Sequence, residues 1–190
     1  MPMGVSRMSI SERNIFALVP AVLLAACATA DTGTARVGKA PALGQPATAA
    51  EIALLDISIP PSGAGLPPGS GDARTGAKVY VAKCQACHGE KGAGKPADAL
   101  VGGLGTLSAA SPVRTVGSYW PYATTLFDYT RRAMPTTASR SLTDDEVYAV
   151  TAYILHLNGI ISETHTLNAQ TLPAVRMPNR DGFVDHSKMR

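Results

Sequence analysis

The residues whose types and spacing indicate chemistry lie near the middle of the chain, in the segment Cys84-Gln85-Ala86-Cys87-His88. Two thiols separated by two residues and followed at once by a histidine form the C-x-x-C-H pattern of covalent haem attachment. One helical turn brings both thiols to the same edge of a porphyrin, where they add to its two vinyl groups, and the histidine then reaches the iron. The pattern predicts one haem, held by Cys84 and Cys87, with His88 as the proximal iron ligand.

Paired cysteines also occur in structural zinc sites and in redox-active dithiols. Structural zinc needs a second Cys or His pair at matching spacing, and the remaining histidines, His156, His165 and His186, form no such pair. A redox C-x-x-C normally accompanies a βαβ pattern, and the sequence shows none. Covalent haem attachment takes place outside the bacterial cytoplasm, so the motif also predicts an exported protein.

The sixth iron ligand is predicted by elimination among the methionines. The first three fall in an N-terminal export signal described below, which leaves Met134, Met177 and Met189. Met134 precedes Pro135 in a short loop between two predicted helices, a poor place for a gap-filling core residue, and it is the predicted ligand. Met177 lies beyond the last helix and is the weaker alternative, and Met189 is near a terminus that is expected to fray.

Other residues are candidates for holding the periphery of the haem. The propionates need donors, and the proposed donors are Arg114, Tyr119, Trp120 and Arg131; core or surface roles stay open for each of them. The proximal imidazole should donate its second N–H to an acceptor, for which we predict the carbonyl of Pro96.

Three lysines flank the motif: Lys83, Lys91 and Lys95. They either steer an acidic partner towards the haem edge or form an ordinary solvated face. The whole chain carries a formal charge of only +3 over 190 residues, which gives no support for nucleic-acid binding. Its apolar fraction of 45% excludes a wholly disordered protein.

Two helices must position the motif and Met134. Asp72 is the expected N-cap of the first, which runs over residues 73–85 into the motif. The second lies within residues 118–133 and ends near Met134, because Pro135 disfavours helix at the residue before it.

The third helix is the best marked in the sequence. Thr143 and Glu146 form a capping box at its start, and apolar residues then follow at helical spacing. Gly159 is the predicted C-terminal cap. No strand pattern competes with these helices, so the sequence indicates an all-α domain.

The N-terminal segment reads as an export signal rather than as structure. Residues 1–26 combine a basic start, a short apolar run and small residues before Cys27, which is the pattern of a secretory signal. The sequence Leu24-Ala25-Ala26-Cys27 resembles the bacterial lipoprotein cleavage box, which implies lipid modification of Cys27 and a periplasmic, membrane-anchored protein. An ordinary cut that leaves Cys27 as a free thiol is the alternative.

The remaining chain divides by composition. Residues 27–50 are rich in Ala, Thr, Gly and Pro and read as a flexible tether. Residues 51–71 read as a Pro/Gly-rich strap, whose part 52–59 is apolar enough to pack. We expect the haem domain over 72–160 and a C-terminal extension over 161–190.

The order of helix, C-x-x-C-H, loop, helix, Met-Pro and terminal helix resembles a class I cytochrome c. The resemblance implies an all-α fold of three main helices around one covalent haem, here with extended N- and C-terminal segments. It also implies that the first and last helices cross, with Gly76 and Tyr80 facing Ala149 and Tyr153.

Further segments resemble a narrower group, the cytochrome c subunits of molybdenum sulfite and sulfane dehydrogenases. They are GLPPGSG at 65–71, GSYWPYATTLFDY at 117–129, LTDDEVYAVTAYIL at 142–155 and MPNRDGF at 177–183. This resemblance implies that the partner's molybdenum centre oxidises a sulfur substrate and that this haem accepts single electrons from it.

Other functions fit the motif less well. A free-standing membrane-tethered shuttle to a terminal oxidase keeps the same haem chemistry with a different partner. A sensor or peroxidase needs an open iron position, which Met134 would close. In a structural lipoprotein the haem would only stabilise the fold, which is an unusual role for a redox metal.

Overall fold

The computed structural model describes residues 43–184 and 186–188. The chain divides into two units, Met1–Pro46 and Ala47–Arg190. The predicted signal 1–26, Cys27 and most of the predicted tether lie outside the described residues.

All described helices and strands belong to the second unit. Its α-helices are α1 (Ala49–Leu55), α2 (Ala73–Lys83), α3 (Gln85–His88), α4 (Ala123–Ala133) and α5 (Asp144–Leu157). Two-residue strands, β1 (Ser70–Gly71) and β2 (Leu167–Asn168), pair antiparallel, and short 3-10 turns cover Glu90–Gly92 and His186–Lys188. Within the described ranges, no helix is long and apolar enough to cross a membrane.

Helix α2 begins as the sequence predicts and ends earlier. The Asp72 carboxylate accepts the Thr75 N–H at 2.8 Å, so Asp72 is the N-cap. The last α2 residue is Lys83, because Cys84 leaves helical geometry at φ −123° and ψ −35°. The motif therefore lies on a separate helical turn, α3, rather than on a continuous helix to residue 85.

Helix α4 begins at Ala123, within the predicted range of residues 118–133. Pro121 disfavours helical backbone at Trp120, and Tyr122 is extended, with φ −137° and ψ 132°. The predicted C-terminus is confirmed: Met134 is the C-cap, with φ −112° and ψ 145°. Met134 therefore lies where the chain leaves the helix.

Both ends of helix α5 match the sequence signals. Glu146 N–H donates to Thr143 Oγ1 at 3.2 Å, and Thr143 N–H donates to the Glu146 carboxylate at 2.8 Å, which confirms the capping box. Gly159 has φ 70°, and its N–H donates to His156 O while Ile160 N–H donates to Leu155 O. These two bonds form a Schellman motif, for which glycine is the favoured residue.

Helices α2 and α5 cross in close backbone contact. A Cβ atom on Gly76 would lie 1.9 Å from Ala149 O, and one on Gly71, in β1 before α2, would lie 2.4 Å from Ala149 N. The Tyr80 and Tyr153 rings meet beside this crossing, with centroids 5.3 Å apart. The expectation that Gly76 and Tyr80 face Ala149 and Tyr153 is confirmed.

The predicted strap is wrong over its first part, because residues 49–55 form helix α1. Thr48 and Glu51 make a capping box at its start, a signal that the small-residue composition of the tether obscured. No residue of α1 is buried. The chain then extends, and Ile59 enters the core.

Side chains of the main helices hold the segment that follows α1. The buried Asp128 carboxylate accepts the Ile59 N–H at 2.9 Å, and the Tyr148 hydroxyl donates to Pro67 O at 3.0 Å. Arg132 pairs with Asp128 along α4. This segment is therefore part of the packed unit rather than a loose connection.

The C-terminal extension also packs into the core. The residues of the extension that join the buried apolar cluster are Leu167, Leu172, Val175 and Met177. They share that cluster with Phe127 and Tyr148, whose ring centroids lie 4.5 Å apart.

We predict that Gly76→Ala lowers the free energy of unfolding by about 2–3 kcal/mol, because the added methyl group meets Ala149 backbone atoms that cannot move independently. At an unconstrained helical site the same change would raise the free energy of unfolding by about 1 kcal/mol. The sign of the change therefore distinguishes a close crossing from an open helix surface. Thermal unfolding followed by circular dichroism measures the effect. Lys78→Ala, on the exposed face of α2, is the control and should change stability by less than about 0.5 kcal/mol. A Gly76→Ala protein as stable as the wild type would contradict the close crossing.

Candidate cofactor site

The C-x-x-C-H residues and Met134 line one cavity. Its volume is about 590 Å³, within the roughly 300–1,000 Å³ of typical cofactor pockets. Cys84, Cys87 and His88 come from the motif, and Met134 comes from the loop after α4. Much of the remaining wall is apolar, including Leu100, Val116, Trp120, Leu126, Val150 and Ile154.

The single turn of α3 brings both thiols to this cavity. Cys87 N–H and His88 N–H both donate to Cys84 O, at 3.1 and 3.0 Å. The two cysteines are free thiols rather than a disulfide. Burial, more than the neighbouring Cys87, raises the pKa of Cys84 to about 11, so this thiol is neutral near pH 7. Two reduced thiols beside one cavity are the arrangement that covalent attachment requires.

The orientation of His88 is set by a backbone carbonyl. Its Nδ1 lies 2.9 Å from Asp98 O, which corrects the prediction of Pro96. The reason is local backbone pairing: Ala97 N–H donates to Cys87 O at 2.9 Å, and this places the following residue, Asp98, against the imidazole. A proton on Nδ1 that is donated to Asp98 O leaves Nε2 as the atom available to a metal.

Tyr80 supports the turn that follows the motif. Its fully buried hydroxyl donates to Gly89 O at 2.9 Å, and burial raises its pKa to about 12. Sequence reasoning placed Tyr80 only at the helix crossing. Its hydroxyl links that crossing to the residue directly after His88.

The structure distinguishes between the methionines that the sequence left open. Met134 is fixed at the end of α4, where its N–H donates to Thr130 O at 3.1 Å, and it lines the cavity. Met177 is 1% exposed and belongs to the hydrophobic core, and it does not line this cavity. Met189 lies outside the described residues. Met134 and His88 are thus brought to the same cavity, and Met177 is not.

Two of the four predicted propionate donors line the cavity, namely Arg114 and Trp120. Tyr119 does not; its ring packs against Phe183 with centroids 5.2 Å apart. Arg131 does not line it either, because its Nε is bonded to the Asp144 carboxylate at 2.9 Å. The structure therefore brings Arg114 and Trp120, but neither Tyr119 nor Arg131, to the cavity wall.

Several polar lining residues were missed by sequence reasoning: Thr115, Tyr129, Thr130, Thr136 and Thr137. The helical spacing of Leu126, Thr130 and Met134 would have found Thr130, because residues four apart share a helix face. Tyr129 meets Trp120 edge to face, with centroids 5.9 Å apart. The loop threonines carried no comparable signal.

The residues present fit a covalently bound haem. Apolar walls suit a porphyrin, and two free thiols and an oriented imidazole meet at the same cavity. Arg114 at the wall suits a carboxylate. Across residues 43–184 and 186–188, no group of three or more His, Cys, Asp or Glu side chains lies close enough together to hold a metal ion.

The chain is similar to known proteins in two comparisons. The profile of the family described as cytochrome C oxidase, cbb3-type, subunit III matches residues 71–154. No curated protein gives a significant match. A chain of the crystal structure of the sulfane dehydrogenase SoxCD from Paracoccus pantotrophus is 38% identical, with a TM-score of 0.71. That match covers 79% of this chain and 75% of that chain.

The profile match spans the α2–α5 crossing, the motif and Met134. The helical architecture fits a class I cytochrome c fold. With the identity and coverage of the SoxCD match, these findings show that the chain belongs to the c-type cytochromes, electron-transfer proteins that carry covalently bound haem c.

Proposed function

We propose that this chain is a monohaem electron carrier in which Cys84 and Cys87 hold the haem while His88 and Met134 bind its iron. The observation that carries the proposal is that these four side chains line one cavity. A bound haem would supply reversible one-electron chemistry, and iron binding by both His88 and Met134 would leave no position open to a substrate.

The protein's own residues tune and protect that chemistry. Asp98 O holds the His88 ring in one orientation and increases its basicity as a ligand. The apolar walls keep water away, and together with the thioether of Met134 they disfavour the extra charge of the oxidised state. Arg114 at the wall is the proposed partner of a propionate.

We predict that the wild-type protein shows the weak far-red sulfur-to-iron band when oxidised and does not bind carbon monoxide when reduced. Met134→Leu removes the thioether at nearly constant volume, so the band should disappear and carbon monoxide should bind. Optical spectra measure both properties.

The matched control is Met177→Leu, the same substitution at a core methionine, which should keep the band and stay closed to carbon monoxide. Carbon monoxide binding by the wild-type protein would instead favour a sensor or peroxidase with an open iron site.

We further propose that the electrons come from the molybdenum-containing catalytic subunit of a sulfite or sulfane dehydrogenase. The support is the 38% identity over most of the chain to a chain of a sulfane dehydrogenase structure. Both flanking segments pack into the core through residues such as Ile59 and Leu172, while α1 leaves Ile52, Leu54 and Leu55 exposed. Packed extensions with an exposed apolar face favour a subunit over a loose shuttle.

This assignment predicts that the oxidised protein is reduced in a periplasmic extract of its native organism only when sulfite or a sulfane sulfur compound is added. The rise of the reduced haem bands measures the reaction, with heat-treated extract as the control. Reduction by the extract without a sulfur substrate, with rapid reoxidation by membranes that contain a terminal oxidase, would favour the tethered shuttle.

We also propose that the mature protein is a periplasmic lipoprotein anchored through Cys27. The support is the lipoprotein-like box before Cys27 and the export that covalent haem attachment requires.

Labelling with radioactive palmitate tests this anchor. The wild-type protein should carry the label and sediment with membranes, whereas Cys27→Ser should lose both properties while its haem spectrum stays unchanged. An unlabelled wild-type protein in the soluble periplasmic fraction would show that Cys27 is not lipid-modified.

A further inference from the structure

The loop that carries Met134 is weakly held by its own bonds. Between α4 and α5, the backbone bonds within the loop are Ala138 N–H to Pro135 O at 2.9 Å and Ser141 N–H to Ala138 O at 3.3 Å. Residues 136–141 are exposed, and Thr136 and Thr137 also lie at the cavity wall. Such a segment opens easily, so the position of Met134 needs support from outside the loop.

An ion pair joins the two ends of this loop. Arg131, in the last turn of α4, places its Nε 2.9 Å from Oδ1 of Asp144, the first residue of α5. The Arg131 side chain is 22% exposed and that of Asp144 is 37% exposed. The pair is therefore screened less than a fully exposed ion pair.

Both partners are held in place independently of each other. Asp144 directly follows Thr143, whose capping box fixes the start of α5. A cation at the C-terminus of α4 and an anion at the N-terminus of α5 are each favoured by the helix dipoles. The pair therefore costs little ordering entropy when it forms, and it closes the loop at its base.

We propose that the Arg131–Asp144 ion pair positions Met134, keeping its side chain at the cavity wall, an inference that rests on the proposed binding of iron by Met134. Arg131 acts through the backbone: it holds the end of α4, from which Met134 leaves three residues later. When the pair is absent, the loop ends separate more readily and Met134 leaves the cavity more often.

The adjacent residue supplies a matched control. Arg132 pairs with Asp128 on the same helix, and Asp128 holds Ile59 rather than the loop. Arg131→Gln and Arg132→Gln each remove one guanidinium and one ion pair, but only Arg131→Gln removes the ion pair that joins the two ends of the loop.

The experiment measures carbon monoxide binding to the reduced protein and the far-red band of the oxidised protein, at a temperature where circular dichroism shows every variant folded. Arg131→Gln should increase the population with Met134 detached, and hence the apparent carbon monoxide affinity, about fivefold. Asp144→Asn should give the same change, Arg131→Lys a smaller one, and Arg132→Gln less than a twofold change.

Equal effects of Arg131→Gln and Arg132→Gln would show that the Arg131 pair acts only on general stability, and the inference would be wrong. An unchanged carbon monoxide affinity in Arg131→Gln, or in Asp144→Asn, would also show that the inference is wrong. A wild-type protein without the far-red band would instead refute iron binding by Met134, so the two failures are distinguishable.

Discussion

The close crossing of α2 and α5 at Gly76 and Ala149 is the contact on which the rest of the haem unit depends. A side chain at Gly76 would occupy the space of the Ala149 carbonyl, so the two backbones can approach this closely only because residue 76 is glycine. Helix α2 leads through Cys84 into the motif, and α5 supplies Val150 and Ile154 to the cavity wall. The crossing therefore fixes two sides of the cavity relative to each other.

The hydroxyl groups of two buried tyrosines extend this arrangement to neighbouring segments. Tyr80 lies beside the crossing, and its hydroxyl donates to Gly89 O, directly after His88. Tyr148, on α5, donates to Pro67 O and so attaches the segment that precedes α2. The proximal side of the site and the N-terminal flank are thus both tied to the same pair of helices, which explains why the flanking segments share one core with the haem unit.

Features with a local physical cause could be predicted from the sequence. The C-x-x-C-H motif, the capping box at Thr143 and the glycine cap at Gly159 each depend on a few neighbouring residues, and the structure reproduces both caps. Met134 could be selected for the same reason, because the proline after it ends the helix at that position.

Features that depend on the path of the chain could not be predicted. The acceptor of His88 Nδ1 is Asp98 rather than Pro96 because the backbone bond between Ala97 and Cys87 sets the register of that loop. Arg131 suits a propionate by charge alone, but its actual partner, Asp144, lies 13 residues away on another helix. Helix α1 was missed because its capping signal lies inside a stretch that otherwise reads as a tether.

The proposed function requires that Met134, rather than Met177 or Met189, is held against the haem. Nuclear magnetic resonance of the reduced protein with isotopically labelled methionine methyl groups tests it directly, because the porphyrin ring current strongly shifts a methyl group held above its plane. We predict that one methionine methyl signal lies far upfield of the others and is absent from Met134→Leu. A strongly shifted signal that persists in Met134→Leu, or a wild-type spectrum without one, would contradict iron binding by Met134.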